Sequence, residues 1–161
     1  MHEENKYRSE KYFKSMNRKN GNKAEKVVRI LIHEIESIRY VKEWAKAANV
    51  SQSWLKKEMK TTYDKPPKII LREVRFEIIV FLIIKNGAEV TSLTVAFESG
   101  VGETSDALYK FLSRHYNTTF SELREYLLTE EPDVSFTWLE WKKLFGFYEY
   151  LNWREKNRNW G

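Results

Sequence analysis

The stretch "VKEWAKAANVSQSWLKKEMK", Val41 to Lys60, decides how this chain is read. Val41, Trp44, Ala45 and Ala48 recur at helical spacing, so they predict one apolar helix face. Asn49 follows, a residue that tolerates the left-handed conformation of a tight turn, and Ser51 stands where an N-cap is wanted. From there Leu55, Met59 and Tyr63 fall on one side of a second helix, while Ser53, Lys56, Lys57 and Lys60 gather opposite. Helix, short turn and helix with a basic outer face is the grammar of a helix-turn-helix; a helical hairpin with no DNA role has the same pattern.

The unit occurs twice. Leu55, Met59 and Tyr63 are matched by Leu108, Leu112 and Tyr116, and Asp64 by Asn117, at one constant displacement. Two registers compete for the second turn. Ala96 and Gly100 fill the small-residue and turn positions if the loop is longer, whereas ungapped counting puts Phe97 and Val101 there. The first register is preferred, because Ala lets helices cross closely and Gly accepts a positive φ. Between the copies, "IILREVRFEIIVFLII" (Ile69 to Ile84) is interrupted by Arg72, Glu73, Arg75 and Glu77 and is short for a bilayer, so it predicts a buried helix. Arg75 is expected to act structurally, satisfying a carboxylate or helix-end carbonyls.

Composition fits this reading. Of 161 residues, 42% are hydrophobic and 15% aromatic, enough for a core, and only three prolines and six glycines punctuate the chain. The expected fold class is all-α: two helix-turn-helix subdomains joined by a long linker helix, with an extra C-terminal aromatic helix. Cysteine is absent, which excludes disulfides and thiol chemistry. No secretion signal is recognisable in "MHEENKYRSEKYFK", so a cytoplasmic location is expected. The net charge of +5 is concentrated at the start, where residues 1–23 carry seven Lys/Arg against three acids. Such an excess permits nucleic-acid binding without requiring it.

Three segments match a known pattern. "EWAKAANVSQSWLKKEMKTTYDKPP", through Ala45, Ser51, Leu55, Met59 and Pro67, "ILREVRFEIIVFLI", through Arg75 and Phe76, and "YNTTFSELREYL", through Thr119, Ser121, Glu122 and Arg124, together resemble the AraC/XylS family of bacterial transcription regulators. The resemblance spans about Ala24 to Leu128 and implies a DNA-binding module of two helix-turn-helix units on a linker helix. The chain departs from the family pattern at Gly100 to Gly102, at Leu108 and at Phe120. The expected organisation is a basic flexible tail (1–23), a double helix-turn-helix domain (24–128; first unit 24–65, linker 66–86, second unit 88–128) and an aromatic extension (129–161).

The resemblance implies a transcription regulator, expected to activate, that binds double-stranded DNA with both recognition helices in successive major-groove segments. Ser53, Lys56, Lys57 and Lys60 are the candidate DNA contacts of the first unit, and Ser105, Asp106, Tyr109, Lys110 and Arg114 those of the second. Lys56 and Lys57 are the base-edge candidates. The second helix, with Glu103 and Asp106 offsetting Lys110 and Arg114, is expected to bind more weakly. RNA polymerase or another regulator is an expected partner, and the aromatic segment with Trp138, Trp141, Leu144, Phe145, Phe147, Tyr148 and Leu151 either docks on the second unit or forms a homodimer surface. No membrane contact, cofactor or metal is expected, since His2, His33 and His115 lack ligand spacing, and "GVGETS" lacks the lysine of a phosphate-binding loop. With no nucleophile or cofactor motif, an enzyme is not expected. The rival reading is a protein-interaction module that keeps the fold without sequence-specific DNA binding.

Overall fold

The computed structural model describes residues 22–129, and the readings made for the basic tail and the aromatic extension lie outside them. The described chain is all-helical: α1 (Asn22–His33), α2 (Val41–Ala47), α3 (Gln52–Tyr63), α4 (Pro67–Asn86), a 3-10 turn (Gly87–Glu89), α5 (Ser92–Glu98), α6 (Ser105–Tyr116) and α7 (Phe120–Leu127). None of these helices is long and apolar enough to cross a membrane.

Local chemistry sets the helix ends. Ser51 Oγ accepts from the Trp54 amide at 3.0 Å, Thr91 Oγ1 from Thr94 at 3.2 Å, Thr104 Oγ1 from Ala107 at 3.1 Å and Thr119 Oγ1 from Glu122 at 3.1 Å. Each satisfies one of the amides that a helix start leaves without a partner. The C-terminal ends of α3 and α6 close in the same way, on Asp64 (φ 57) and Asn117 (φ 50), short polar residues that tolerate the left-handed conformation. Pro67 opens α4 at its first position, where the missing N–H costs nothing.

Two cores result, and α4 serves both. Ile70, Leu71, Val74 and Ile78 pack with Val28, Leu31, Trp44, Leu55 and Met59 in the first. Phe76, Ile79, Val80 and Ile83 pack with Val95, Ala96, Leu108, Leu112 and Leu123 in the second. A helix twenty residues long, apolar on most of its circumference, is stable in water only when covered on both sides. In the first core the Trp44 indole N–H, fully buried, donates to the Val27 carbonyl at 2.9 Å, so its polar atom is satisfied.

The Arg75 expectation holds. Its Nη2 donates to the carbonyls of Ile38 (2.9 Å) and Arg39 (3.1 Å), fastening α4 to the turn between α1 and α2. Burial, followed by the neighbouring Arg39 charge, holds the Arg75 pKa below its ordinary value, while Glu43 opposes the shift. The same turn meets the second unit: the Ile35 carbonyl lies against Gly100, and Arg39 pairs with Glu103 at 3.1 Å.

The Ala96–Gly100 register also holds. Ala96 is fully buried whereas Phe97 is 53% exposed, and Gly100 has φ 78. The Gly102 amide donates to the Ala96 carbonyl six residues back, as the Val50 amide does to Ala45 five residues back, and the connection 99–104 is two residues longer than 48–51. A Cβ on Gly100 would come within 2.3 Å of the Ile35 carbonyl oxygen. Gly100→Ala is therefore expected to destabilise the fold by about 3 kcal/mol, combining left-handed strain with a backbone clash. Asn49→Ala, at φ 55 but already bearing a Cβ, should cost only about 1 kcal/mol. Urea titration of both variants measures the difference, and equal costs would show that the Ile35 contact does not constrain Gly100.

Candidate nucleic-acid interface

The outer faces of α3 and α6 are built alike. Both helices have twelve residues, about 18 Å of axis, and both bury leucine and a second large apolar side chain one turn on, Leu55 with Met59 and Leu108 with Leu112. The side opposite those residues must face solvent. All nine sequence-derived candidates are exposed: Ser53, Lys56, Lys57 and Lys60 on α3 and Asp106, Tyr109, Lys110 and Arg114 on α6 lie away from the buried residues, whereas Ser105, three residues before Leu108, starts α6 on the Leu108–Leu112 side.

The charges on the two faces are arranged differently. On α3, Lys60 donates to Asp64 at 2.8 Å, and that hydrogen bond, with the ammonium charge, holds the Asp64 carboxyl below its ordinary 3.8. Lys56 and Lys57 form no ion pair among the described residues. On α6, Lys110 lies 3.0 Å from Asp106, one turn earlier, so the main cation of that face is partly neutralised within the helix. Glu103, expected to offset the cations of α6, instead pairs with Arg39 on the first unit. Ser105 Oγ hydrogen-bonds Ser92 Oγ at 2.9 Å, which ties the start of α6 to the start of α5. Tyr109 is 55% exposed and presents an aromatic surface where α3 has Lys56.

Sequence reasoning missed a second basic locus. Arg72 Nη1 approaches His115 Nδ1 to 3.5 Å, Lys68 precedes Arg72 by one turn of α4, and Arg114 adjoins His115 at the end of α6. The i, i+4 spacing of Lys68 and Arg72 is visible in "KIILR", but the meeting of α4 with α6 is not. Beneath this locus, Tyr116 stacks on Phe76 with ring centroids 3.7 Å apart. Burial pushes the Tyr116 phenol up to about 12; Glu73 and Glu77 push the same way against Arg72.

In chemical terms, two exposed helix faces carry hydrogen-bond donors and cations at the width a DNA major groove admits. Compared with known proteins, the chain matches no family model, no curated protein and no solved structure.

His115 reports on the basic locus. Partial burial, then the charges of Arg72, Arg114 and Lys68, lower its pKa from 6.5. Because the folded value is the lower one, the unfolded chain takes up the proton first. Stability from this group is complete above pH 6.5 and declines as pH falls through the interval below. The NMR titration midpoint of the His115 ring is expected below 6.5, and Arg72→Gln should move it upward. A midpoint unchanged in that variant would show that the Arg72 charge does not reach the ring.

Proposed function

We propose that this chain is a DNA-binding transcription regulator of the AraC/XylS type, with each half of the described region acting as a helix-turn-helix. The observation that carries the reading is the duplicated unit. A seven-residue helix, a turn through a left-handed residue and a capped twelve-residue helix occur twice, at α2–α3 and α5–α6, and both are packed on α4. A recognition helix needs a close-crossing support helix and an outer face free of core duties, and both copies have these. On this reading α3 and α6 enter successive major-groove segments of one duplex, and activation is the output expected of such a module.

The two helices contribute unequally. Phosphate neutralisation supplies most of the affinity, and α3 offers Lys56 and Lys57 outside ion pairs while Lys110 is held by Asp106. The base-edge readers of α3 are Lys56 and Lys57, each able to donate to guanine O6 and N7, with Ser53 beside them. A second reading, a protein-interaction module, is favoured by exposed apolar surface on the second unit, where Leu93 and Phe97 are each 53% exposed one turn apart on α5.

Binding of the full chain to labelled duplexes at low salt separates the two. Lys56→Ala and Lys57→Ala should each weaken the selected site about tenfold, equivalent to ~1.4 kcal/mol, with helical content unchanged. If neither change alters affinity, α3 does not read DNA; if the wild-type chain binds no duplex at all, the interaction reading replaces this one.

Asp106→Asn tests the inequality from the other side. Freed from its partner, Lys110 should strengthen binding to every duplex by a few-fold, a gain that shrinks as salt screens it. Were affinity to fall instead, and only for sites carrying one particular cytosine, Asp106 would be a base reader.

A further inference from the structure

We propose that Lys68, Arg72, Arg114 and His115 together grip the sugar-phosphate backbone of DNA on the stretch joining the two major-groove segments. This clamp rests on the DNA-binding reading above and adds a site to it.

Four observations support it. The cluster draws on two elements, Lys68 and Arg72 from the first half of α4 and Arg114 and His115 from the last turn of α6, with Arg72 Nη1 and His115 Nδ1 3.5 Å apart. It is continuous with the candidate recognition face, because Arg114 follows Lys110 by one turn of the same helix. Its position is suited to a connecting strand, since α4 packs on the unit bearing α3 through one core and on the unit bearing α6 through the other, and the cluster sits where α4 meets α6. Finally, the cations are not matched locally. Glu73 and Glu77, which act on the adjoining Tyr116 phenol, are placed otherwise: Glu73 is engaged by Lys65 at 3.0 Å and Glu77 is buried. Among the described residues none of the three cations forms an ion pair with a carboxylate, and three permanent cations with an imidazole beside them repel one another. The lowered pKa of His115 reflects burial first and that repulsion second.

A phosphodiester resolves this arrangement. Arg72 presents a planar guanidinium able to bridge two phosphate oxygens, Lys68 adds a mobile point charge, and the His115 ring can donate once an anion favours its protonated form. Contacts of this kind fix the protein's position on the duplex and carry no sequence information. The cluster therefore serves register, leaving discrimination to α3 and α6.

The test compares wild-type full chain with Lys68→Gln, Arg72→Gln and the double variant. Each is titrated against the selected duplex and an unrelated duplex over a series of salt concentrations. Each lost phosphate contact should reduce the slope of log K against log salt by about 0.9. Affinity should fall to the same extent on both duplexes. Ethylation interference should lose its signal on the phosphates between the two protected groove segments. Lys68 is exposed, so Lys68→Gln keeps the test intact if Arg72→Gln disturbs Tyr116. Slopes unchanged in every variant, while Lys56→Ala and Lys57→Ala still weaken binding, would overturn the clamp and leave the DNA reading standing. Absence of duplex binding by wild type at low salt would overturn both. Each protein is also titrated against polyglutamate, and unaltered DNA binding with loss of polyglutamate binding would assign the cluster to an acidic protein partner and overturn the clamp.

Discussion

The structure depends on α4 being covered from two sides. Ile70, Leu71, Val74 and Ile78 belong to one core and Phe76, Ile79, Val80 and Ile83 to the other. Burying each such side chain contributes about 1.5–3 kcal/mol, and neither half of the chain could cover both sides of α4 alone. The halves are therefore coupled through a shared element. Arg75 adds a directional constraint to this apolar one. Its guanidinium points from α4 to the Ile38 and Arg39 carbonyls, and the turn it holds also receives Gly100 and Glu103 of the second unit. Replacing Arg75 with an apolar residue would leave those carbonyls without their charged donor and release this polar link between α4 and the α1–α2 turn.

Within that frame the duplicated units keep the same backbone solution and differ on their surfaces. Ser51 and Thr104 cap equivalent helices, Asn49 and Gly100 turn with positive φ, and Asp64 and Asn117 end the helices in the same left-handed state. The features they share are those that close helices and let them cross. The outer faces are free of those demands, and there the copies diverge: Lys56 corresponds to Tyr109, Ser53 to Asp106 and Lys60 to Ser113. A face can lose its charge in this way at no cost to the fold, because exposed side chains contribute little to stability.

Much of this was legible in the sequence because its determinants are local. The Ser51 cap, the left-handed turn at Asn49, the two-sided apolar helix and the structural use of Arg75 follow from spacing and side-chain chemistry within a few residues. The longer second turn was legible as well, since only Ala96 and Gly100 meet its steric needs. What was missed is set by elements distant in the chain. Glu103 is near the acidic and basic groups of α6 in sequence, yet it reaches Arg39, sixty-four residues away. Arg72 meets His115 across forty-three. The Asp106–Lys110 pair is the exception, an i, i+4 contact that helical geometry made available from the start.

Net charge is a poor guide to how such a chain would meet a polyanion; the placement of charge decides. Residues 24–128 hold sixteen Lys/Arg against fourteen acids, which is close to balance. Part of that balance is spent locally, in Lys60–Asp64, Lys65–Glu73, Lys110–Asp106 and Arg39–Glu103. These pairs are exposed or half-exposed and stabilise the fold only slightly. Their larger effect is subtractive, because each removes a cation from the field that an approaching duplex would feel. Of the twelve cations outside these pairs, five fall into two groups, Lys56 and Lys57 on α3 and Lys68, Arg72 and Arg114 around His115. A nearly neutral domain can in this way keep two groups of unpaired cations, one on α3 and one where α4 meets α6.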